Sequence, residues 1–405
     1  MTDPNPYQAE TQSNAPGALD GVRVLDLTIA RAGPTCTRQL ADMGAEVLRV
    51  GNPGRADLGG SDAHNLHRDK RSILLDLKAD RGRDVFMRLV DRADVLVENF
   101  RAPVKARLGI DYADVHARNP RIIYASISGF GQAGPYSERA GVDQIAQGMS
   151  GLMTLTGPPE TGPWRTGIAI SDTASGTFLT QGVLAALYAR ERTGQGQWVH
   201  TSLLEALVNF MDFQATRFTI DGVVPETSGN DHPTLQPMGT FETADGYVNI
   251  AAMLGWDRFV KAIDAADIDA DPRFSSVEAR YQHKEDLKEA IEAKLAAKPT
   301  SDWVEILNDA GLPCGPVYHM DETFSDPQVE YLKLAQTVEH ERDGPVSLLR
   351  HPVTFSETPA RLERAAPLPG RHTREILQEH GFDADEIDTL VAEGVVHCEA
   401  EASSW

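Results

Sequence analysis

The sequence predicts an α/β protein, with a Rossmann-like large domain on a parallel sheet and a smaller α+β domain. Three observations lead there. Short runs rich in Val, Ile and Leu alternate with longer stretches of helical period through the first half of the chain. Each apolar run ends in polar residues or glycine, as strands do at the edge of a parallel sheet where ligands bind. The 405 residues also exceed the roughly 250–300 at which a single core stops growing, so a second core is required.

In chain order, residues 1–17 carry Pro4, Pro6 and Pro16 among Asn, Gln and Ser, and are expected to form a disordered arm. The first part of the large domain spans 18–210. It opens with strand VRVLDL, loop TIARAGP, a helix from Thr35 to Met43 and strand AEVLRV. The pattern continues with SILLDL, helical ADRGRDVFMRLVDRA, strand DVLVENF, the segment APVKARLGIDYADVHARNP and strand IIYASISGFG. A long helix follows from Thr173 to Arg192, with Asp172 at its start and Gly194 just beyond its end.

Residues 211–228 read as a linker and 229–310 as the small domain. The latter holds a hairpin turning at Ala244, Asp245 and Gly246, then a helical run from Val277 to Ala310. Leu287, Ile291, Leu295, Trp303 and Leu307 fall on one face of that run. Residues 311–350 form a further linker region. Residues 351–405, with two short helices in TREILQEHGFDADEIDTLVAEGVV, return to the large domain.

Charge narrows the function classes. Lys plus Arg number 38 against 60 Asp plus Glu, a net charge of -22, so nucleic acid and anionic membranes are disfavoured partners. An anionic ligand must be caught by a local cluster of cations or a helix N-terminus. Cys36, Cys314 and Cys398 are too few and too scattered for a disulfide framework or a zinc site. His64, His67, His200, His232 and His319 show no ligand spacing with Cys or Glu, so no metal role is assigned. No signal-peptide pattern and no apolar run of about 18 residues is present, and a cytoplasmic protein is expected.

Asp172 stands between apolar GIAI and a helix start, where the positive end of the helix favours the ionised carboxylate. Two roles are open from this context: helix N-cap or nucleophile.

Seven segments widen the view: RAGP, KRSI, VENF, GFGQAGPYSERAGVDQIAQGMSG, SDTASG, RTGQGQ and GLPCGPV. Together and in this order they resemble the type III CoA-transferases, among them formyl-CoA, carnitine and succinyl-CoA-dependent dicarboxylate transferases. The α-methylacyl-CoA racemases are relatives. The resemblance runs from about Leu19 to the C-terminal helices.

That resemblance implies that Asp172 attacks the donor thioester and becomes in turn a mixed anhydride and an aspartyl-CoA thioester. CoA and acyl-CoA are then substrates, and no metal or tightly bound cofactor is needed. Arg107, at its spacing after Asn99 and Phe100, is implied in the adenine and phosphate site. Arg49, Lys70 and Arg71 are further candidates near strand ends, with solvated surface charge as the alternative. Gly131 and Gln132 are candidate oxyanion donors or a plain glycine turn.

Arg31 beside Ala32 departs from the oxalate-using members, which have glutamine there. With GNDHPTLQPMG in place of a glycine-run loop, this favours a dicarboxylate acceptor, its remote carboxylate held by Arg31. The racemases carry His where this chain has Val142, and valine cannot move a proton. Asp143 is expected to position Asp172 or substrate, or to serve as an acceptor at a helix start. Kinship also implies an interlocked homodimer. Two rivals are kept in view: a nicotinamide-dependent oxidoreductase, although TIARAGP lacks G-x-G-x-x-G, and a non-catalytic acyl-CoA-binding protein.

Overall fold

The computed structural model describes residues 15–54 and 59–398. They divide into two compact units, one of residues up to 151 with 166–216 and 330 onward, the other of 152–165 with 217–329.

The first unit is built on a seven-stranded sheet. Its strands are β1 (Arg23–Asp26), β2 (Glu46–Gly51), β3 (Lys70–Leu75), β4 (Val95–Glu98), β5 (Ile123–Ser128), β6 (Trp198–Ser202) and β12 (Val396–His397). Their order is β12-β3-β2-β1-β4-β5-β6. Every pairing is parallel except β12 with β3. From β1 the chain steps to β2 and β3 on one side, then crosses to β4 on the other, so the winding reverses between β1 and β4. A parallel sheet binds ligands at such a switch point, beyond the carboxyl ends of its strands.

All four residues of β4 are buried, which is why the central strands read as continuous apolar runs rather than as alternation. Val85, Phe86, Leu89 and Val90 of the Asp80–Val90 helix and Ile376, Leu377, Ile387 and Leu390 of the C-terminal helices join one core cluster. Burying a side chain such as Phe86 stabilises the fold by about 1.5–3 kcal/mol. The C-terminal return is fixed by hydrogen bonds, among them Asp76 N–H to the Val395 carbonyl (2.9 Å) and Thr373 Oγ1 to the His397 carbonyl (2.7 Å).

The second unit carries an antiparallel sheet of β7 (Met238–Glu242), β8 (Tyr247–Ala251) and β9 (Cys314–Pro316). Phe241, Val248 and Ile250 pack with Ile291, Leu295, Trp303 and Leu307 in its core. The residues expected as one helical run form three helices, Val277–Gln282, Lys284–Leu295 and Thr300–Asp309. Pro299 caps the last of them with extended backbone.

Several expectations are revised. The unit takes in Leu152–Arg165 and extends over Arg217–Val329 rather than 229–310. Residues expected as a linker after 311 instead supply β9, and then a hairpin of the first unit, β10 (Ala335–His340) with β11 (Gly344–Leu349). The first helix begins at Ala32, not Thr35: Pro34 falls in the first turn, where its missing N–H has no intrahelical partner to lose. Of the expected arm, residues 1–14 lie outside the described residues. Ala15–Gly17 are held in place, the Ala15 carbonyl by Arg361 and Gly17 by a backbone approach to Gly44 that leaves no room for a Cβ.

Candidate active site

Asp172 lies in the first turn of the Ile170–Thr193 helix, whose N-cap is Ala169. It is therefore not the cap. Its carboxylate accepts no hydrogen bond from any described residue. Burial pushes its pKa up and the nearby Asp143 charge adds to this, with Arg31 pulling the other way, and the result is about 6. Burial and like charge thus set the direction, opposite to what a helix-terminal field alone would favour.

Gly176, one turn after Asp172, determines what stands beside it. A Cβ at Gly176 would lie 2.6 Å from the Ala32 carbonyl oxygen, and Thr180 Oγ1 lies 3.5 Å from the Cys36 carbonyl. The Ala32–Asp42 and Ile170–Thr193 helices therefore run side by side in the same direction. Asp172, on the Gly176 face one turn toward the N-terminus, meets the loop that ends in Arg31. Arg31 is the N-cap position of its helix, and its Nη2 donates to Asp62 Oδ1 at 2.6 Å.

Asp143 opens the Asp143–Met149 helix and anchors the chain just before Asp172. Its Oδ1 accepts from the Ser171 N–H (2.9 Å) and hydroxyl (2.8 Å), and its Oδ2 from Gln147 Nε2 (2.7 Å). The fully buried Gln147 also donates to the Ile168 carbonyl (3.3 Å) and accepts from the Thr166 N–H (3.0 Å). Several directional contacts thus fix the backbone leading into Asp172, and the Asp143 charge remains near its carboxylate.

A cavity of about 1000 Å³ opens at the carboxyl ends of β1 to β4, on the switch point. Arg49, Asn99, Phe100 and Arg107 all line it, as do Thr28 and Ile29. Asn99 fastens its rim, donating to the Ile29 carbonyl (2.7 Å) and accepting from the Ile29 N–H (3.0 Å). The loop from Thr28 to Arg31 therefore joins the cavity to the surroundings of Asp172. Lys78, Arg83 and Arg101 also line the cavity. Their signal in the sequence is position alone: Lys78 follows β3, Arg83 lies in the first turn of the Asp80–Val90 helix and Arg101 caps the Ala102–Leu108 helix.

Lys70 and Arg71 do not line it. They begin β3, at the edge of the sheet opposite the cavity. Lys70 is 1% exposed, with Nζ 2.9 Å from Asp26 Oδ2 and 2.8 Å from Thr37 Oγ1. Burial pushes its pKa down to about 8 against the pull of Asp26. Arg71 pairs with Glu46, Glu375 and Glu379 and ties a C-terminal helix to β2.

Gly131 has φ +102° and its N–H donates to Ser128 Oγ (3.0 Å), the arrangement of a turn. Gln132 Oε1 accepts from the buried Lys105 (2.7 Å), while its buried Nε2 has no hydrogen-bond partner among the described residues. His64, given no role from sequence, joins His340 and Asp343: one Asp343 oxygen lies 3.2 Å from the first ring and 3.1 Å from the second. This links the Gly60–His67 helix to the β10–β11 hairpin. These three ligand-type atoms lie within 4.8 Å of one another, a grouping that spacing along the chain does not reveal.

The model of CoA-transferase family III matches residues 19–373. The chain is 35% identical to the succinate–glutarate CoA-transferase of Agrobacterium fabrum, over 89% of this chain and 95% of that one. It is 36% identical to the succinyl-CoA:mesaconate CoA-transferase of Haloarcula hispanica, over 90% and 97%. Among solved structures, a CAIB/BAIF family protein from Brucella suis matches with a TM-score of 0.82 and 32% identity, over 90% of this chain and all 100% of that one.

Proposed function

From the chain's membership of CoA-transferase family III, which makes it a CoA-transferase, we propose that it moves CoA from succinyl-CoA or a similar donor to a dicarboxylate through a thioester on Asp172. The observation that carries this reading is a half-buried carboxylate that no described residue hydrogen-bonds, on a backbone tied down by Asp143. A carboxylate without donors keeps its lone pairs for attack.

The chemistry balances without a redox partner. An Asp172 oxygen attacks the thioester carbonyl, the C–S bond breaks, and a mixed anhydride and CoA thiolate result. The thiolate attacks the Asp172 acyl carbon and releases the donor's carboxylate, leaving the aspartyl thioester. The acceptor carboxylate then attacks that carbon and expels thiolate, which takes the acceptor's acyl group and returns Asp172 to its carboxylate form.

The cavity at the switch point suits the nucleotide of CoA. Arg107, Arg101 and Arg49 supply cations against a net charge of -22, and Phe100 offers an apolar wall to the adenine. Arg31 holds the remote carboxylate of the acceptor, as its place beside Asp172 allows. Val142, 62% exposed, offers no proton for a racemase. The protein acts as a homodimer, a reading supported by exposed Ile145, Met149, Tyr188, Phe210 and Phe213.

The test is a matrix of succinyl-CoA and acetyl-CoA against mono- and dicarboxylates, with mass detection of new thioesters. Dicarboxylyl-CoA products are expected from succinyl-CoA. Finding no new thioester with any pair would overturn the reading.

A further inference from the structure

The ion pair between Arg31 and Asp62 links two helices at the edge of the site. The guanidinium is 29% exposed and the Asp62 carboxylate 48%, and Nη2 to Oδ1 at 2.6 Å is the contact between them. Both groups sit on firm supports. Arg31 is fixed at the start of the Ala32–Asp42 helix, which Gly176 holds against the helix of Asp172. The Gly60–His67 helix that carries Asp62 is pinned to the same neighbour by Arg38 Nη1 to Asn65 Oδ1 (2.9 Å), and to the β10–β11 hairpin through His64 and Asp343. The pair is therefore a built contact beside Asp172: the guanidinium donates to Asp62 and its charge also reaches Asp172, which feels the Asp143 charge in turn.

Resting on the reading that Arg31 receives the acceptor's remote carboxylate, we infer that Asp62 is a specificity-determining residue, an intramolecular stand-in for that carboxylate which a dicarboxylate must displace. With no acceptor bound, Asp62 neutralises Arg31. When a dicarboxylate enters, its remote carboxylate takes the guanidinium and Asp62, already half in water, turns to solvent at small cost. The number of ion pairs is conserved, so a dianion enters a carboxylate-rich site without leaving a buried charge unpaired. A monocarboxylate has no group to exchange for Asp62 and gains nothing from Arg31. Half-exposed pairs are weak and exchange readily, so the competition is tunable rather than prohibitive. Arg31 also acts on Asp172, whose pKa it lowers. Freeing it from Asp62 strengthens that field.

The experiment is a double-mutant cycle on the full-length protein, with succinyl-CoA as donor and glutarate as acceptor, comparing wild type, D62N, R31Q and R31Q/D62N. D62A repeats the D62N arm with a smaller side chain, so that an effect peculiar to the asparagine amide is recognised. With Arg31 present, D62N and D62A should lower the KM for glutarate about two- to fivefold. The acid limb of the rate profile should move to lower pH as the freed guanidinium stabilises the Asp172 carboxylate. In the R31Q background the Asp62 substitution should leave the glutarate KM where R31Q alone sets it. An unchanged or raised KM in the single variants, or the same drop with and without Arg31, would overturn the inference. If wild type transfers no CoA to glutarate or any other dicarboxylate, the underlying reading has failed instead, and the two failures are distinct.

Discussion

Asp26 and Asp172 are carboxylates of the same unit, both withdrawn from water, with opposite surroundings. Asp26 is 0% exposed and accepts from the Thr28 N–H (2.9 Å) and hydroxyl (2.5 Å), the Thr37 hydroxyl (2.8 Å) and the Lys70 ammonium (2.9 Å). Burial alone would push its pKa up, yet the Lys70 charge and these hydrogen bonds hold it below the ordinary value. Asp172 feels the same push from burial and has no such donors, so its pKa rises to about 6. Burial is common to both, and the neighbours decide: the Lys70 charge and four hydrogen bonds at Asp26, the Asp143 charge and no donor from any described residue at Asp172. A carboxylate with every lone pair engaged is part of the framework, whereas one left bare is costly to the fold and available for chemistry.

The largest effect that could break this contrast is on turnover. Asp172→Asn should lower CoA transfer at least about a thousandfold, because the amide cannot form the thioester. Retention of more than a tenth of the wild-type rate would remove Asp172 from the mechanism.

Stability should separate the two aspartates by sign. Asp26→Asn leaves the Lys70 ammonium buried without its counter-charge and should cost about 3–5 kcal/mol in denaturant titration. For Asp172 the folded pKa is raised above the unfolded value of 3.8. The stability linked to its protonation is therefore complete below about pH 4 and lost as pH rises through about 6. At neutral pH the charged form opposes folding, and Asp172→Asn should stabilise the protein by roughly 1–3 kcal/mol. Destabilisation at pH 7.5 would show that the carboxylate has partners in the native state.

Binding of the donor sharpens the picture further. Arg107→Gln should raise the KM for succinyl-CoA about tenfold through loss of a charge-assisted contact, with kcat changed much less. A fall in kcat with KM unmoved would place Arg107 in the chemistry rather than at the nucleotide.

The smallest expected effect is on pH dependence. The rate should fall about tenfold per unit below pH 6 as Asp172 protonates. Asp143→Asn keeps an acceptor for Ser171 but removes the like charge, so this limb should move to lower pH. A limb that moves upward, or stays in place, would deny the coupling between the two carboxylates.

Legibility in the sequence followed burial and distance along the chain. β1 to β5 were readable because strands covered on both faces are written as unbroken Val, Ile and Leu runs. β6 is not legible because it alternates in burial and starts at Trp198, 36% exposed, and β12 because it has two residues. Asp172 stands out locally at a helix start, whereas the family, and the choice of nucleophile over cap, rests on the order of many short motifs. Lys70 and Arg71 read as ligand candidates because a strand's two ends look alike until its direction in the sheet is known, and neither lines the cavity. Asp62 left no local signal, since its partner lies 31 positions away and only the packing of two helices brings them together.

The central claim is that the group being exchanged resides for part of each turnover on one side chain. Protein mixed with succinyl-CoA carrying label in the CoA moiety, quenched in acid within a turnover and digested, should yield label on the peptide that contains Asp172, and none in Asp172→Asn. Steady turnover with label never found on that peptide would contradict the account.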